Sequence, residues 1–557
     1  MRAKRSKKEK SNKLGKIIVV AVFIAVIAMV INIAPNYIRK KVTNKVNVII
    51  NNHDVTESMK LDGYIDENEV VYIATKDIAN FFDEDIFYDN QYDQIITSSD
   101  TKLAVLPLEK KEMYVNSSKV KIYGMATEKE GEFYLPFSEM KDVYHVEVNY
   151  IKETNTVTID SISREQKKAN ASKNIAIKYK PTIFSKTVDK VKKGDSVIVI
   201  EEAENGWNKV RTGLGIIGYT KDITNGYQVR EKMETKKQIE GKVSLAWDYY
   251  TSKVPNRMGT KIEGINVISP SFAELKSDAE GNLKVKIGEA GKEYINWAHS
   301  NNYKVWAMVS NSEAGKNNTS LVLNDYKRRE NLIHNIVNMV LENELDGINI
   351  DFEYMNVEDK EMFSRFIIEL APRLKEYGKV LSVDVTAPDG SENWSLCYDR
   401  HQLGKVADYL IFMAYDQYGN SSAKAGTTAG ADWVEVNVKK FLGQEGVEKE
   451  KLILAMPFYT RLWKETGGKP ESTVVWMKNI DSKLPSNVEK TWNEELKQYY
   501  VEYTQNGATY KMWLEEEQSI KAKFTLIKEY DLAGGAYWQK DFEKDGIWNM
   551  VAEQLNK

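Results

Sequence analysis

From residue 242 to the C-terminus, short β-branched apolar runs alternate with helical patterns of ten to twenty residues. Eight runs read as strands: Val243–Trp247, Gly264–Ser269, Lys304–Val309, Asp346–Phe352, Val380–Val385, Tyr409–Ala414, Leu452–Pro457 and Gly534–Trp538. Strands that alternate with helices are expected to run parallel, each helix returning the chain to the starting edge. Eight of them over about 310 residues predict an α/β chain segment closed into a (β/α)8 barrel. The stretch 463–526, between the seventh and eighth strands, carries Tyr500, Tyr503 and Trp513 and predicts a β-rich insertion walling one side of a cleft.

The fourth run has the most informative pattern. Leu345, Ile348, Ile350 and Phe352 alternate with Asn349, Asp351 and Glu353. Period two places the three polar side chains on one face. One reading is a half-exposed strand with that face in water. The other is a strand lining a cavity where carboxylates do chemistry, which makes their burial tolerable. A calcium loop fits less well, because the turn glycine is missing from its place and the intervening residues are strongly apolar.

Upstream, residues 46–160 contain a repeat. ValTyrIleAlaThrLysAspIleAlaAsnPhePhe (71–82) corresponds to PheTyrLeuProPheSerGluMetLysAspValTyr (133–144), and Ile86, Tyr88 and Ile95 fall on Val148, Tyr150 and Val157 at a constant offset of 62. Each copy reads strand, short helix, strand, turn, strand. The unit resembles the stalk-type module named after the N-terminal domain of copper amine oxidases, and is read as a spacer or wall-interaction module. The name implies no copper here: His53 and His145 are isolated, so no metal or other cofactor is expected.

Residues 168–228 hold short β-rich runs separated by turns, with GlyTrpAsnLysValArgThr (206–212), Gly215 and GlyTyr (218–219). These resemble the bacterial SH3 family and predict a small all-β barrel, although Tyr219 stands where the family usually has tryptophan. The resemblance implies either a module for cell-wall peptide or a spacer. Residues 229–241 read as a linker into the barrel at 242–557.

The N-terminus changes the picture of location. Residues 1–16 carry eight lysines and arginines against Glu9, and residues 17–34 run apolar, with Asn32 near the end. Eighteen helical residues span roughly 27 Å, close to the ~30 Å hydrocarbon core. The expectation is an uncleaved signal anchor, single-pass, with the basic segment cytoplasmic and the barrel outside the cell membrane. Cys397 is the only cysteine, so no intramolecular disulfide can form. A net charge of −3 argues against nucleic acid as the main partner.

Asp346-Gly347-x-Asn349-x-Asp351-x-Glu353 resembles the fourth-strand signature of glycoside hydrolase family 18, Asp-Gly-x-Asp-x-Asp-x-Glu. Three further strand ends resemble the same family in order: Met413-Ala414-Tyr415-Asp416, Pro457-Phe458-Tyr459 and Tyr537-Trp538. The resemblance implies a multidomain glycosidase acting on N-acetylglucosamine-containing polysaccharide, peptidoglycan or spore cortex. It assigns Glu353 as general acid, Asp351 as the partner of the substrate's own 2-acetamido group, and Tyr415 as donor to the acetamido oxygen. It also assigns Asn349, Asp346, Asp416, Met413, Tyr459 and Trp538 to substrate binding. Asn349 departs from the family aspartate. It is expected to hydrogen-bond Asp351 without adding charge, and so to shift the pH profile. Strand three ends Val309-Ser310-Asn311 without the family's Ser-x-Gly-Gly, which points to the spore-lytic branch. The alternatives are a non-catalytic glycan-binding envelope protein on the same barrel, a structural envelope protein, and a chitinase.

Overall fold

The computed structural model describes residues 45–202, 204–223, 228–230 and 238–555. It divides into two compact units, with the division near residue 235. In the first unit, both copies of the repeat fold alike. Strand Val71–Ala74 leads into a helix over Thr75–Phe81, and Glu132–Pro136 leads into one over Lys141–Tyr144. The two leading strands pair antiparallel, Leu135 opposite Ile73. A single apolar cluster that includes Ile73, Ile95, Leu135 and Val157 joins the copies.

Residues 166–230 form a separate seven-stranded antiparallel sheet with its own core of Ile177, Val188, Val197 and Val210. The buried Arg211 donates from Nη1 to Asp160 Oδ1 at 3.0 Å, fastening this sheet to the repeat.

The second unit is the barrel. Its strands are β1 (Val243–Asp248), β2 (Val267–Pro270), β3 (Lys304–Ser310), β4 (Gly347–Asp351), β5 (Val380–Val385), β6 (Tyr409–Met413), β7 (Leu452–Pro457) and β8 (Gly534–Trp538). All neighbouring pairs are parallel, and pairing of β8 with β1 and of β2 with β3 closes the ring.

The period of two sorts the side chains. Leu245, Trp247, Met308, Ile411, Ile453 and Ala536 fill the lumen. Ala246, Val305, Ile348, Ile350, Val383, Phe412 and Leu454 face outward into the larger core under the helices.

The helices are α1 (Gly288–Ser300), α2 (Gly315–Leu323), α3 (Tyr326–Glu342), α4 (Lys360–Lys375), α5 (Arg400–Val406), α6 (Ala431–Gly443), α7 (Glu517–Glu529) and α8 (Ile547–Leu555). In α4 the buried Phe363, Phe366, Ile367, Leu370 and Leu374 recur at helical spacing. α7 begins at a capping box in which Glu516 and Ser519 satisfy each other's backbone N–H groups. Between β1 and β2 no helix occurs among the described residues. Gly264, expected to start β2, lies instead in a turn at φ +77°. A Cβ there would come within 2.5 Å of the Ala552 backbone nitrogen in α8.

An antiparallel five-stranded sheet lies between β7 and α7, running over Tyr459–Glu465, Glu471–Trp476, Thr491–Asn493, Gln498–Gln505 and Ala508–Trp513. It begins directly after β7. α7, which the expected insertion 463–526 partly included, is a barrel crossover. The buried Lys523 of α7 donates to Glu515 Oε2 at 3.0 Å, and Glu515 also accepts from Gln498 of the sheet and Ser519 of α7.

The expected membrane anchor at 17–34 falls outside the described residues. Among the described residues no helix is long and apolar enough to cross a membrane. The expected single-pass placement, with a cytoplasmic tail and an external barrel, is thus not supported by any described helix.

The interface of α3 and α4 buries an ion pair. Arg329 donates from Nε to Glu369 Oε2 at 2.8 Å and from Nη2 to Oε1 at 2.9 Å, and Nη1 donates to the Leu323 carbonyl at 2.7 Å. Replacing Glu369 with Leu should lower the unfolding free energy by about 3–5 kcal/mol, because Arg329 stays charged and buried without its partner. Arg329→Met combined with Glu369→Leu should recover most of that loss. Urea unfolding followed by tryptophan fluorescence measures both.

Candidate active site

The C-terminal ends of the strands bring one polar cluster together above the apolar lumen, at what this fold makes the mouth of the barrel. On β4, Asn349 and Asp351 share the inward face, and Glu353 follows at the strand's end. Asn349 is fully buried and Asp351 is 7% exposed. Asp351 and Glu353 share a side-chain hydrogen bond. The Glu353 backbone is clamped: its N–H donates to Asn311 Oδ1 at 2.9 Å, and Asn311 Nδ2 donates back to the Glu353 carbonyl at 3.0 Å. Tyr398 Oη donates to the carbonyl of Phe352 at 2.7 Å. The segment carrying Glu353 is thus held from β3 and from the β5–α5 loop.

Asn349 does not bond Asp351 as expected. Its Nδ2 donates to Asp384 Oδ1 at 2.7 Å and to Ser382 Oγ at 3.1 Å, while its Oδ1 accepts from Trp247 Nε1 at 2.8 Å. Asp384 is 1% exposed and was missed from the sequence. A signal was present: Ser382 and Asp384 alternate with Leu381, Val383 and Val385 just as Asn349 and Asp351 alternate with their apolar neighbours. In the β4–β5 register Asn349 pairs with Ser382 and Ile350 with Val383. One step further sets Asp384 beside Asp351.

Burial dominates the electrostatics. It pushes the Asp351 carboxyl up to about 6, with the Glu353 hydrogen bond opposing. It raises Glu353 well above the usual carboxylate range, helped by the charge and hydrogen bond of Asp351 and the charge of Asp416. Asp384 is raised for the same reason, with Asp351 and Glu353 adding to it and the Asn349 hydrogen bond opposing. Among the described residues no lysine or arginine acts on these three.

The other strand ends close the cavity. Tyr415 follows Met413 at the end of β6; burial holds its phenol protonated, with Tyr459 and all three carboxyls adding to the shift. The Tyr415 and Tyr459 rings meet edge-on at 6.1 Å. Tyr459 hydrogen-bonds Asp416. Asp416, in the left-handed region at φ +55°, accepts from Arg461 Nη2 at 2.9 Å. Arg461 was also missed: it lies on the inserted sheet and meets Asp416 only in three dimensions. Trp538, at the end of β8, packs 5.7 Å from Trp247 and 5.6 Å from Tyr249. Met413 is buried on the inward face of β6.

Asp346 is the exception among the expected residues. It precedes β4 at the opposite end of the barrel. There it accepts from Lys304 Nζ and the Val305 N–H, both at 3.0 Å, and lies 2.8 Å from His299 Nε2. Burial raises its carboxyl, but these donors outweigh burial and hold it below the usual range. It fastens the barrel's base and touches nothing in the cavity.

A second aromatic pair lies beside Glu353. Tyr354 is 62% exposed and packs 4.7 Å from Trp394 on the β5–α5 loop. That loop is held by the buried Arg400, which donates to the carbonyls of Thr386, Ala387 and Ser395, each at 3.0 Å.

The three cavity carboxyls bind protons more tightly in the folded chain than in the unfolded one. Their contribution to stability is complete below the unfolded carboxylate pKa and is lost as pH rises through the raised folded values. Glu353→Gln keeps an N–H donor for Asp351 and removes one of these groups. The variant should match the wild type in Tm in acid and exceed it by about 2 °C or more in mild alkali. Scanning calorimetry at the two pH values measures the difference.

Comparison with known proteins bears on this cavity. The family model for glycosyl hydrolases family 18 matches residues 246–543, and that of the copper amine oxidase N-terminal domain matches residues 49–159. The uncharacterized glycosylase YvbX of Bacillus subtilis is 24% identical over 276 residues, 48% of this chain and 79% of that protein. The cortical fragment-lytic enzyme of Bacillus subtilis is 24% identical over 243 residues, 42% of this chain and 56% of the enzyme. The match thus spans little more than half of that enzyme. The crystal structure of a chitinase from Chromobacterium violaceum shares the fold, with a TM-score of 0.50, 21% identity, and coverage of 57% of this chain and 100% of the chitinase. With more than half of its length matched by one family, the barrel and its cavity included, the chain belongs to glycosyl hydrolases family 18 and is a glycoside hydrolase related to cortex-lytic enzymes and chitinases.

Proposed function

We propose that the chain hydrolyses N-acetylglucosamine-containing cell-wall glycan, peptidoglycan or spore cortex, with retention of configuration and with the substrate's 2-acetamido group as nucleophile. The observation that carries this reading is the hydrogen-bonded pair of the buried Asp351 and the partly buried Glu353. A glycosidic bond breaks through an oxocarbenium-like state, so the leaving oxygen needs a proton. Glu353, raised by burial, keeps one at neutral pH and delivers it. Asp351, with the lower pKa of the two, is the group that ionises. It steadies the acetamido N–H as its oxygen attacks C1. Tyr415 donates to that oxygen. Trp538 packs beneath the acetamido group, and Asp416, held by Tyr459 and Arg461, positions the sugar. After cleavage Glu353, now a carboxylate, takes a proton from the water that opens the cyclic intermediate.

The upstream units fit the same substrate. Residues 168–228 are read as a bacterial SH3 module for cell-wall peptide, and residues 46–160 as a spacer. The relation to a cortical fragment-lytic enzyme favours cortex or peptidoglycan over chitin.

The test is digestion of purified peptidoglycan, spore cortex and chitin oligomers with the full chain and with Glu353→Gln, reading new reducing ends. The wild type should release N-acetylglucosamine ends, and Glu353→Gln should lose about 10³-fold or more in kcat. Asp351→Asn should fail on acetamido substrates to a similar degree. Release from none of the three glycans, with the chain still co-sedimenting with one, would mark a binding protein instead. The pH profile of kcat/KM should rise as pH climbs through about 6, where Asp351 ionises, and fall at higher pH as Glu353 loses its proton; these limbs belong to the coupled cluster.

A further inference from the structure

β4 lacks a carboxylate at 349, and β5 carries one at 384 within 2.7 Å of the side chain that stands there. We infer that Asp384 is the positioning residue for Asp351, supplying from β5 the second carboxyl that β4 has replaced with Asn349. The inference rests on the proposed substrate-assisted reading and deepens it.

The hydrogen bonds fix the roles. Asn349 Oδ1 accepts from the indole N–H of Trp247 at 2.8 Å, so the amide orientation is set from β1. Its Nδ2 must then face β5, where both partners accept: Asp384 Oδ1, and Ser382 Oγ, whose own proton goes to the Ile348 carbonyl at 3.3 Å. An aspartate at 349 has no N–H to give. It would set two carboxylates face to face at this distance in a fully buried site, at a large cost in like-charge repulsion and desolvation. Asn349 thus gives the carboxyl at 384 a neutral donor without adding another titrating group to the site.

With Oδ1 taken by Asn349, Oδ2 is the oxygen of Asp384 that can carry a proton. Asp384 stands beside Asp351 in the β4–β5 register and acts on it through charge, while the side-chain hydrogen bond of Asp351 goes to Glu353; with one proton and one negative charge between the two, a proton held on Asp384 leaves Asp351 the anion. Asp351 is then an anion when the acetamido nitrogen develops charge. The groups facing Asp384 are Asp351 on β4, Glu353 just beyond its end, Tyr415 beyond β6, and Asn349. None of them is a cation, so a charge on the pair is stabilised only by the hydrogen bonds of Glu353 to Asp351 and of Asn349 to Asp384. Asp384 touches no reacting atom in this account and acts through Asp351.

Three proteins test this: the wild type, Asp384→Asn, and the exchange Asn349→Asp with Asp384→Asn. The exchange returns the carboxyl to β4, where it still accepts from Trp247, and the new amide at 384 can donate to it, so the hydrogen bond between 349 and 384 survives with its direction reversed. With p-nitrophenyl N,N′-diacetylchitobioside as probe, Asp384→Asn should lose about 100-fold in kcat with KM nearly unchanged, and its acid limb should move. The exchange should recover at least tenfold of the loss. A wild type that turns over the probe beside an Asp384→Asn variant with the same kcat and pH profile would overturn the inference while leaving the glycosidase reading intact. A carboxyl-carbon NMR titration of the wild type and Asp384→Asn judges the pair without any substrate. The inference requires the Asp351 titration to move when Asp384 is replaced, and an unmoved Asp351 overturns it even if no probe is cleaved.

Discussion

Three carboxyl groups with no cation acting on them, among the described residues, share the buried mouth of the barrel, and the rest of the site follows from that constraint. Asp351, Glu353 and Asp384 cannot all ionise there, because each additional charge faces both desolvation and its neighbours. The cavity therefore holds protons at a pH where exposed carboxyls have lost theirs. That is the condition a general acid needs, and it makes the top of the barrel a source of instability that the apolar shell and the fastened strand ends must offset.

The fold meets the constraint by division of labour along each strand. Outward positions of β4 and β5 are apolar and bury against the helices, and inward positions become polar only near the top. Around the carboxyls stand neutral groups with fixed hydrogen-bond direction: Asn349 held by Trp247, the protonated phenols of Tyr415 and Tyr459, and Asn311 gripping the Glu353 backbone. Among the described residues, charged pairs occur outside this ring. Arg461 meets Asp416 at its edge, while Arg257 holds Asp248 with a forked pair of hydrogen bonds at 2.8 and 2.9 Å. Asp346 with Lys304 fastens the base. Arg400, surrounded by carbonyls, shapes the loop that sets Trp394 against Tyr354.

Much of this was legible in the sequence because period two is a strong signal in a barrel strand. It placed Asn349, Asp351 and Glu353 on one face, and the parallel sheet carries them there. The same rule applied to β5 would have exposed Ser382 and Asp384; with only two polar positions among six, that strand read as an ordinary buried one. Asp346 was misassigned because a motif match ignores length. It is five residues before Asp351, roughly 16 Å along the strand at ~3.3 Å per residue, and on the opposite face. Asn311 and Arg461 carry no local signal, since each acts on a residue some forty positions away. The partner of Asn349 was misjudged for a related reason: a side chain on a barrel strand reaches its neighbour strand as readily as its own.

The account makes the substrate's acetamido group the nucleophile and Asp351 its partner, and this has one direct consequence for product stereochemistry. Proton NMR of the first sugar released from a β-linked N-acetylglucosamine glycan, recorded before mutarotation, reads it. The account predicts the β-anomer first, converting later to the equilibrium mixture. Initial release of the α-anomer would mean direct attack by water from the opposite face, and would contradict the role given to Asp351 and its neighbours.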